Sequence, residues 1–124
     1  MLFLLFFNLD IELKDKEKDY SLWEIGDIVY TYWGYSMTII DYYEIIRKTG
    51  KGFVLKGLKD KIVSGNGQRG ESVPIPKEYK KSKYNGNVEF DILKARINKN
   101  GYLRADNKSV YLWDGKPKSF DHMD

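Results

Sequence analysis

The sequence predicts a mainly β chain, built as a small, strongly bent antiparallel sheet or a partly open SH3-like barrel, with a β-rich α+β arrangement as the variant. Two observations predict it. Residues 26 to 46 pack six aromatics and a run of β-branched residues into two strand-length segments around a Gly-containing bend, and such residues suit a pleated, half-buried surface. Downstream, short apolar segments alternate with Gly and Asn turns, the pattern of small sheets and barrels.

Length and composition set the limits. A chain of 124 residues with 42% hydrophobic and 15% aromatic residues is expected to form one domain with a real core, not a disordered segment. It contains no cysteine, which excludes disulfides, thiolate metal sites and a cysteine nucleophile. We divide it into an extension, residues 1–25, and a β-rich domain, residues 26–124. The apolar run Met1 to Phe7 falls far short of the roughly 20 apolar residues of a membrane helix. It lacks the basic region and small-residue cleavage site of a signal peptide. Its expected role is a buried or edge strand, or a flap through which residues 2–7 pair two copies into a homodimer.

The elements follow from turn signals. Ile11 to Asp19 reads as a charged connector or one weak helical turn. Gly26-Asp27 opens a strand over Ile28 to Trp33, and Thr38 to Lys48 forms a second. Thr49-Gly50-Lys51-Gly52 is a tight turn from which Phe53 to Lys59 returns antiparallel. Ser64 to Gly70, with three glycines in seven residues, reads as a flexible loop. Pro74 and Pro76 flank Ile75 in an extended segment barred from the centre of a sheet. Asn85-Gly86 signals a hairpin, and Val88 to Ile97 follows as a strand or a short helix. Asn98 to Gly101 turns the chain into short strands at Tyr102 to Ala105 and Ser109 to Trp113, before a Gly-Lys-Pro tail.

Charge separates along the chain. Residues 9–46 hold nine acids and three lysines, whereas residues 47–83 hold eleven basic residues and three acids. The formal net charge is only +3, so the field is polarised more than it is basic, which steers partners and says nothing of fold.

Three groups are candidates for binding. Tyr32, Trp33 and Tyr35 at a strand end could stack bases or anchor a protein interface, although the alternation leaves neither face polar and favours burial of most of the block. Lys77, Lys80, Lys81 and Lys83, interleaved with Tyr79 and Tyr84 and preceded by Lys56, Lys59 and Lys61, could contact phosphates and stack bases. They could equally dock on an acidic protein groove or form a solvated face. Arg69 is the sole arginine of that cluster, which disfavours base-edge reading. Asp114, Asp121, His122 and Asp124 are the metal-like set: His122 and Asp124 project to one side if extended, and a divalent cation could use the imidazole and carboxylates. No cofactor is otherwise expected. With one histidine and no recognisable carboxylate pair, neither a nucleophile triad nor a glycosidase-type dyad assembles, and the chain reads as non-enzymatic.

Gly26-Asp27-Ile28, Trp33-Gly34-Tyr35 and Ile40-Asp41-Tyr42-Tyr43, with Leu112-Trp113-Asp114-Gly115-Lys116-Pro117 and His122, resemble a group of small phage and prophage proteins over residues 26 to 124. The chain departs from that pattern at Ser36-Met37-Thr38, where a more polar sequence is usual. The resemblance implies origin rather than mechanism. By analogy with anti-CRISPR proteins, it suggests an inhibitor in the host cytoplasm that binds a host protein such as a CRISPR nuclease or another defence factor. The alternative is a small β-barrel binding single-stranded nucleic acid or phosphate groups through residues 56–84.

Overall fold

The computed structural model describes residues 15–34, 37–84 and 86–122. Residues 2–7, Tyr35 and Asp124 therefore lie outside the described residues, and Tyr84 is placed only by its strand register. Residues 15–18 are helical and a 3-10 turn spans Tyr20–Leu22. Eleven strands follow: β1 (Ile28–Trp33), β2 (Ile39–Thr49), β3 (Gly52–Gly65), β4 (Arg69–Tyr79), β5 (Lys81–Tyr84), β6 (Asn87–Phe90), β7 (Ile92–Ile97), β8 (Leu103–Ala105), β9 (Lys108–Ser109), β10 (Tyr111–Leu112) and β11 (Lys118–Asp121). No described helix is long and apolar enough to cross a membrane.

The main sheet runs β10-β1-β2-β3-β7-β8-β9, antiparallel throughout. Residues 108–112 pair with β8 at one end and with β1 at the other, so the sheet curls into a nearly closed barrel with one open seam. The mainly β expectation holds, and Val88 to Ile97 resolves into two strands with a break at Asp91.

The period of two sorts the side chains. Val29, Tyr43, Ile45, Phe53, Leu55, Ala95, Leu103 and Leu112 point inward and form the core. Gly57 lies opposite Tyr43. Trp23, which the sequence places in the extension, is 1% exposed. It stacks on Phe53 at 5.7 Å, and its indole N–H donates to the Lys16 carbonyl at 2.6 Å. Tyr20 meets it edge-on at 4.9 Å. These two rings join the helical segment to the barrel core.

The aromatic block is less buried than its alternation suggests. Val29 and Thr31 are fully buried, but Tyr32 is 51% and Trp33 43% exposed. Trp33 shares the inward parity of Val29 and Thr31 but, as the last residue of β1, is left without their cover.

The segment expected to be a flexible loop is a hairpin. β3 runs to Gly65 and β4 starts at Arg69, with the Asn66 carboxamide accepting from the Gln68 and Arg69 N–H groups at 2.8 and 3.1 Å. Its glycines serve close approach: a Cβ on Gly65 would sit 2.2 Å from the Arg69 carbonyl oxygen, and one on Gly70 would sit 2.1 Å from that of Ser64. The prolines obey their constraint. Register jumps from Leu58↔Tyr79 to Asp60↔Pro74, so Ile75 to Glu78 bulge opposite Lys59, and β11 pairs only with Arg69 to Ser72. Lys118 to Asp121 form the strand β11, which pairs with β4 and contributes the buried Phe120.

Candidate functional site: a basic and aromatic wing

The β5–β6 hairpin forms its own two-stranded sheet, a wing standing off the barrel. It is rooted on Gly57. The Gly57 N–H donates to the Asp91 carbonyl at 2.7 Å, and its carbonyl accepts from the Lys80 N–H at 2.8 Å. The Asp91 N–H donates in turn to the Lys80 carbonyl at 3.3 Å. A Cβ on Gly57 would come within 2.7 Å of Asp91 Oδ2, so any larger residue here would have to displace the Asp91 side chain at the root of the wing. Gly86, at φ +82°, closes the far end.

Hairpin register decides which side chains meet. Lys81 pairs with Phe90 and Lys83 with Val88, so these four share one face, because opposite residues point the same way. Tyr84 is opposite Asn87. Phe90 is not idle: Lys56 Nζ stands 3.9 Å from its ring centroid and 4.0 Å from that of Tyr79, and Lys81 Nζ stands 5.3 Å from Phe90. Tyr79 and Phe90 meet edge to face at 6.2 Å. One ammonium thus ties two rings from different sheets together.

Beneath them is a buried carboxylate. Glu44, 5% exposed, lies opposite Lys56 in the β2–β3 ladder. It accepts from the Tyr79 hydroxyl at 2.9 Å and pairs with Lys77 Nζ at 2.9 Å. That hydrogen bond, more than desolvation, raises the Tyr79 pKa, and the same carboxylate raises that of Lys77 by hydrogen bonding and then by its charge. Lys77 holds a left-handed backbone, φ +65°, at the bulge between the prolines and Tyr79. On the other face of β2, Lys80 Nζ pairs with Asp41 at 3.3 Å, and the Trp33 indole N–H donates to the other oxygen of Asp41 at 3.3 Å.

The structure therefore gathers Lys77 and Tyr79 at Glu44 and Lys81 and Tyr79 at Phe90, sets Trp33 and Lys80 at Asp41 on the other face of β2, and takes Tyr32 elsewhere. Tyr32 is on the opposite face of β1, stacked on Tyr111 at 5.5 Å. Lys77 and Lys80 are neutralised by Glu44 and Asp41, which leaves Lys56, Lys81 and Lys83 as the cations of the wing. They border the exposed apolar side chains Val88, Phe90 and Ile92, exposed by 56%, 44% and 48%. Sequence reasoning missed Phe90, Val88 and Ile92. The signal was available, because a two-residue turn at Asn85-Gly86 fixes Lys81 against Phe90.

Of the metal-like set, Asp114, Asp121 and His122 are described, and each is engaged in other contacts. Asp114 pairs with Lys118 at 2.9 Å and accepts from the Lys116 N–H at 3.0 Å. Burial works to raise its pKa, but the hydrogen bonds and charge of these lysines outweigh it and hold the carboxyl below its usual value. Asp121 pairs with Arg69 at 3.2 Å. The His122 ring packs on Phe120 at 4.9 Å, while its backbone N–H donates to the Gln68 carbonyl at 2.6 Å. Among the described residues no three His, Asp or Glu side chains stand close enough together to hold a metal ion.

No family model, curated protein or solved structure matches the chain.

Proposed function

We propose that this chain is a non-enzymatic binding protein that docks through its wing on an acidic surface of a partner protein. The carrying observation is the exposed apolar trio Val88, Phe90 and Ile92 bordered by Lys56, Lys81 and Lys83. An apolar centre with a charged rim is the anatomy of a protein interface, and the lysines would steer an acidic partner into place. The resemblance to small phage proteins supports a host defence or nucleic-acid-processing protein as that partner, met in the host cytoplasm. Expression in a host carrying such a defence, together with recovery of bound protein from lysate, tests it. Unaltered defence activity and no stable partner would overturn the reading.

One observation favours a second reading, single-stranded nucleic acid. Lys56 and Lys81 lie against the Tyr79 and Phe90 rings, and cations beside aromatics suit a phosphate backbone and its bases. The affinity would then fall steeply with salt. A gel shift with random oligonucleotides at low salt tests it, and no shift at micromolar protein removes it.

A further inference from the structure

In the cavity between β2, the β3–β4 hairpin and β11, we infer a binding site for a linear alkylammonium ion. The cavity holds about 280 Å³, the small end of the range for ligand sites, so it suits a short chain rather than a fused ring system. Cross-strand register builds its wall. Asp60 pairs with Pro74, Ile62 with Ser72 and Phe120 with Gly70, and the period of two sets Asp60, Ile62, Ser72 and Phe120 on one face. Ile40 of β2 closes the cavity opposite them. Ile40, Ile62 and Phe120 thus give it apolar sides, and Gly67 and His122 bound it at the hairpin tip.

Two acceptors face the cavity at its other end. The Tyr42 hydroxyl donates its one proton to the Ser72 carbonyl at 2.7 Å. The Ser72 hydroxyl, 3.3 Å from the Tyr42 oxygen, therefore supplies the proton of that contact, which leaves Ser72 Oγ as an acceptor. Ser72 is 1% exposed, so this oxygen is shielded from bulk water. The Asp60 carboxylate is the second acceptor, and among the described residues it makes no ion pair or hydrogen bond.

Charge decides what the acceptors take. The neighbouring cations are turned away or engaged. Lys61 points to the opposite face by alternation, Lys118 pairs with Asp114 and lies over the Tyr30 ring, and Arg69 pairs with Asp121. An ammonium group brings three donors and no acceptor and meets Asp60 in a charge-assisted hydrogen bond. Its methylene stem lies along the apolar sides, as lysine stems do on apolar surfaces. A carboxylate or phosphate would meet Asp60 with like charge. This cavity and the wing use different residues, so either reading can fail without the other.

A free amine and a lysine side chain of a partner carry the same chemistry, so n-pentylamine and a short blocked peptide with one lysine are the two probes. Each is titrated against the whole protein and followed by amide NMR shifts, with n-pentanol and valerate as controls. Shifts are expected at residues 60–72 and 118–122, with the better probe binding about tenfold more tightly than n-pentanol. Stronger binding of the amine assigns a small-molecule source and stronger binding of the peptide a protein one, and either supports the site. Asp60→Asn, at an exposed and unbonded side chain, should reduce binding to the level of the alcohol, with the fold intact by circular dichroism. Phe90→Ala on the wing should leave it unchanged. The site is overturned by any of three results: neither probe shifts these residues at millimolar concentration, n-pentanol or valerate binds as tightly as the better probe, or Asp60→Asn binds that probe as the parent does.

Discussion

Tyr79 donates its hydroxyl to the buried carboxylate of Glu44 from 35 residues away in sequence, and this bond ties the end of β4, from which the wing departs, to β2. Lys77 completes the carboxylate's hydrogen bonding from the strained end of the bulge. Glu44→Gln keeps an acceptor for one partner but removes the charge that both use. A loss of about 1–2 kcal/mol is expected, the value of a charge-assisted hydrogen bond, measured by urea unfolding. No change would show that Lys77 and Tyr79 are held without Glu44.

Alkaline pH should destabilise the protein. Burial raises the pKa values of Tyr30, Tyr42 and Tyr43 above the ordinary 10.0, and Glu44 raises that of Lys77 above 10.5. A raised folded-state pKa means that the folded protein holds protons that the unfolded chain releases, so this stability is complete below the ordinary values and is lost as pH rises above them. Unfolding midpoints should therefore hold steady to about pH 9 and fall from about pH 10 upward. Tyr42→Phe should flatten the fall while losing the hydroxyl's bond to the Ser72 carbonyl.

Trp23 is the strongest core probe ahead of β1. Replacing Trp23 with alanine removes its stack on Phe53 and its contact with Tyr20. The expected cost is about 3–5 kcal/mol, the usual range for emptying a large aromatic site, read as a lower denaturation midpoint. A cost below about 1 kcal/mol, that of a surface change, would show that residues 20–23 fold apart from the barrel.

Gly57→Ala tests the root of the wing. The new methyl would meet Asp91 Oδ2 and Cβ at 2.7 and 3.0 Å, and overpacking of this kind costs about 1–3 kcal/mol. Adding Asp91→Ala should restore part of that loss, because the carboxylate is the nearest obstacle. Additive losses in the double variant would place the strain elsewhere.

Chelation should leave the melting temperature unchanged. Asp114 and Asp121 are already paired with Lys118 and Arg69, and β11 is ordered by its ladder with β4. Elemental analysis of the purified protein checks it directly. A stoichiometric divalent ion, with a melting temperature that EDTA lowers, would contradict the assignment.

The strands around β1 and β2 were legible because β-branched and aromatic runs ended at Gly26 and Gly50, each a turn signal. The long β3–β4 hairpin was not, since glycines that permit close backbone approach look in sequence like glycines that loosen a loop. β11 escaped for a related reason: Lys118 to Asp121 is too short and polar to announce a strand, and it forms because Arg69 to Ser72 offers a free edge. Of the site, the lysines and Tyr79 were visible as a cluster. Their anchors Glu44 and Asp41 were not, because cross-sheet register rather than spacing brings them together.

Docking through the wing, as proposed, is tested by a paired affinity recovery. The parent protein and a Lys81→Glu, Phe90→Ser variant, both folded by circular dichroism, are passed through the same host lysate at low and high salt. A stoichiometric protein partner is expected on the parent, weakened by salt and lost from the variant. Equal recovery on both proteins, or no stable partner on the parent, would contradict it.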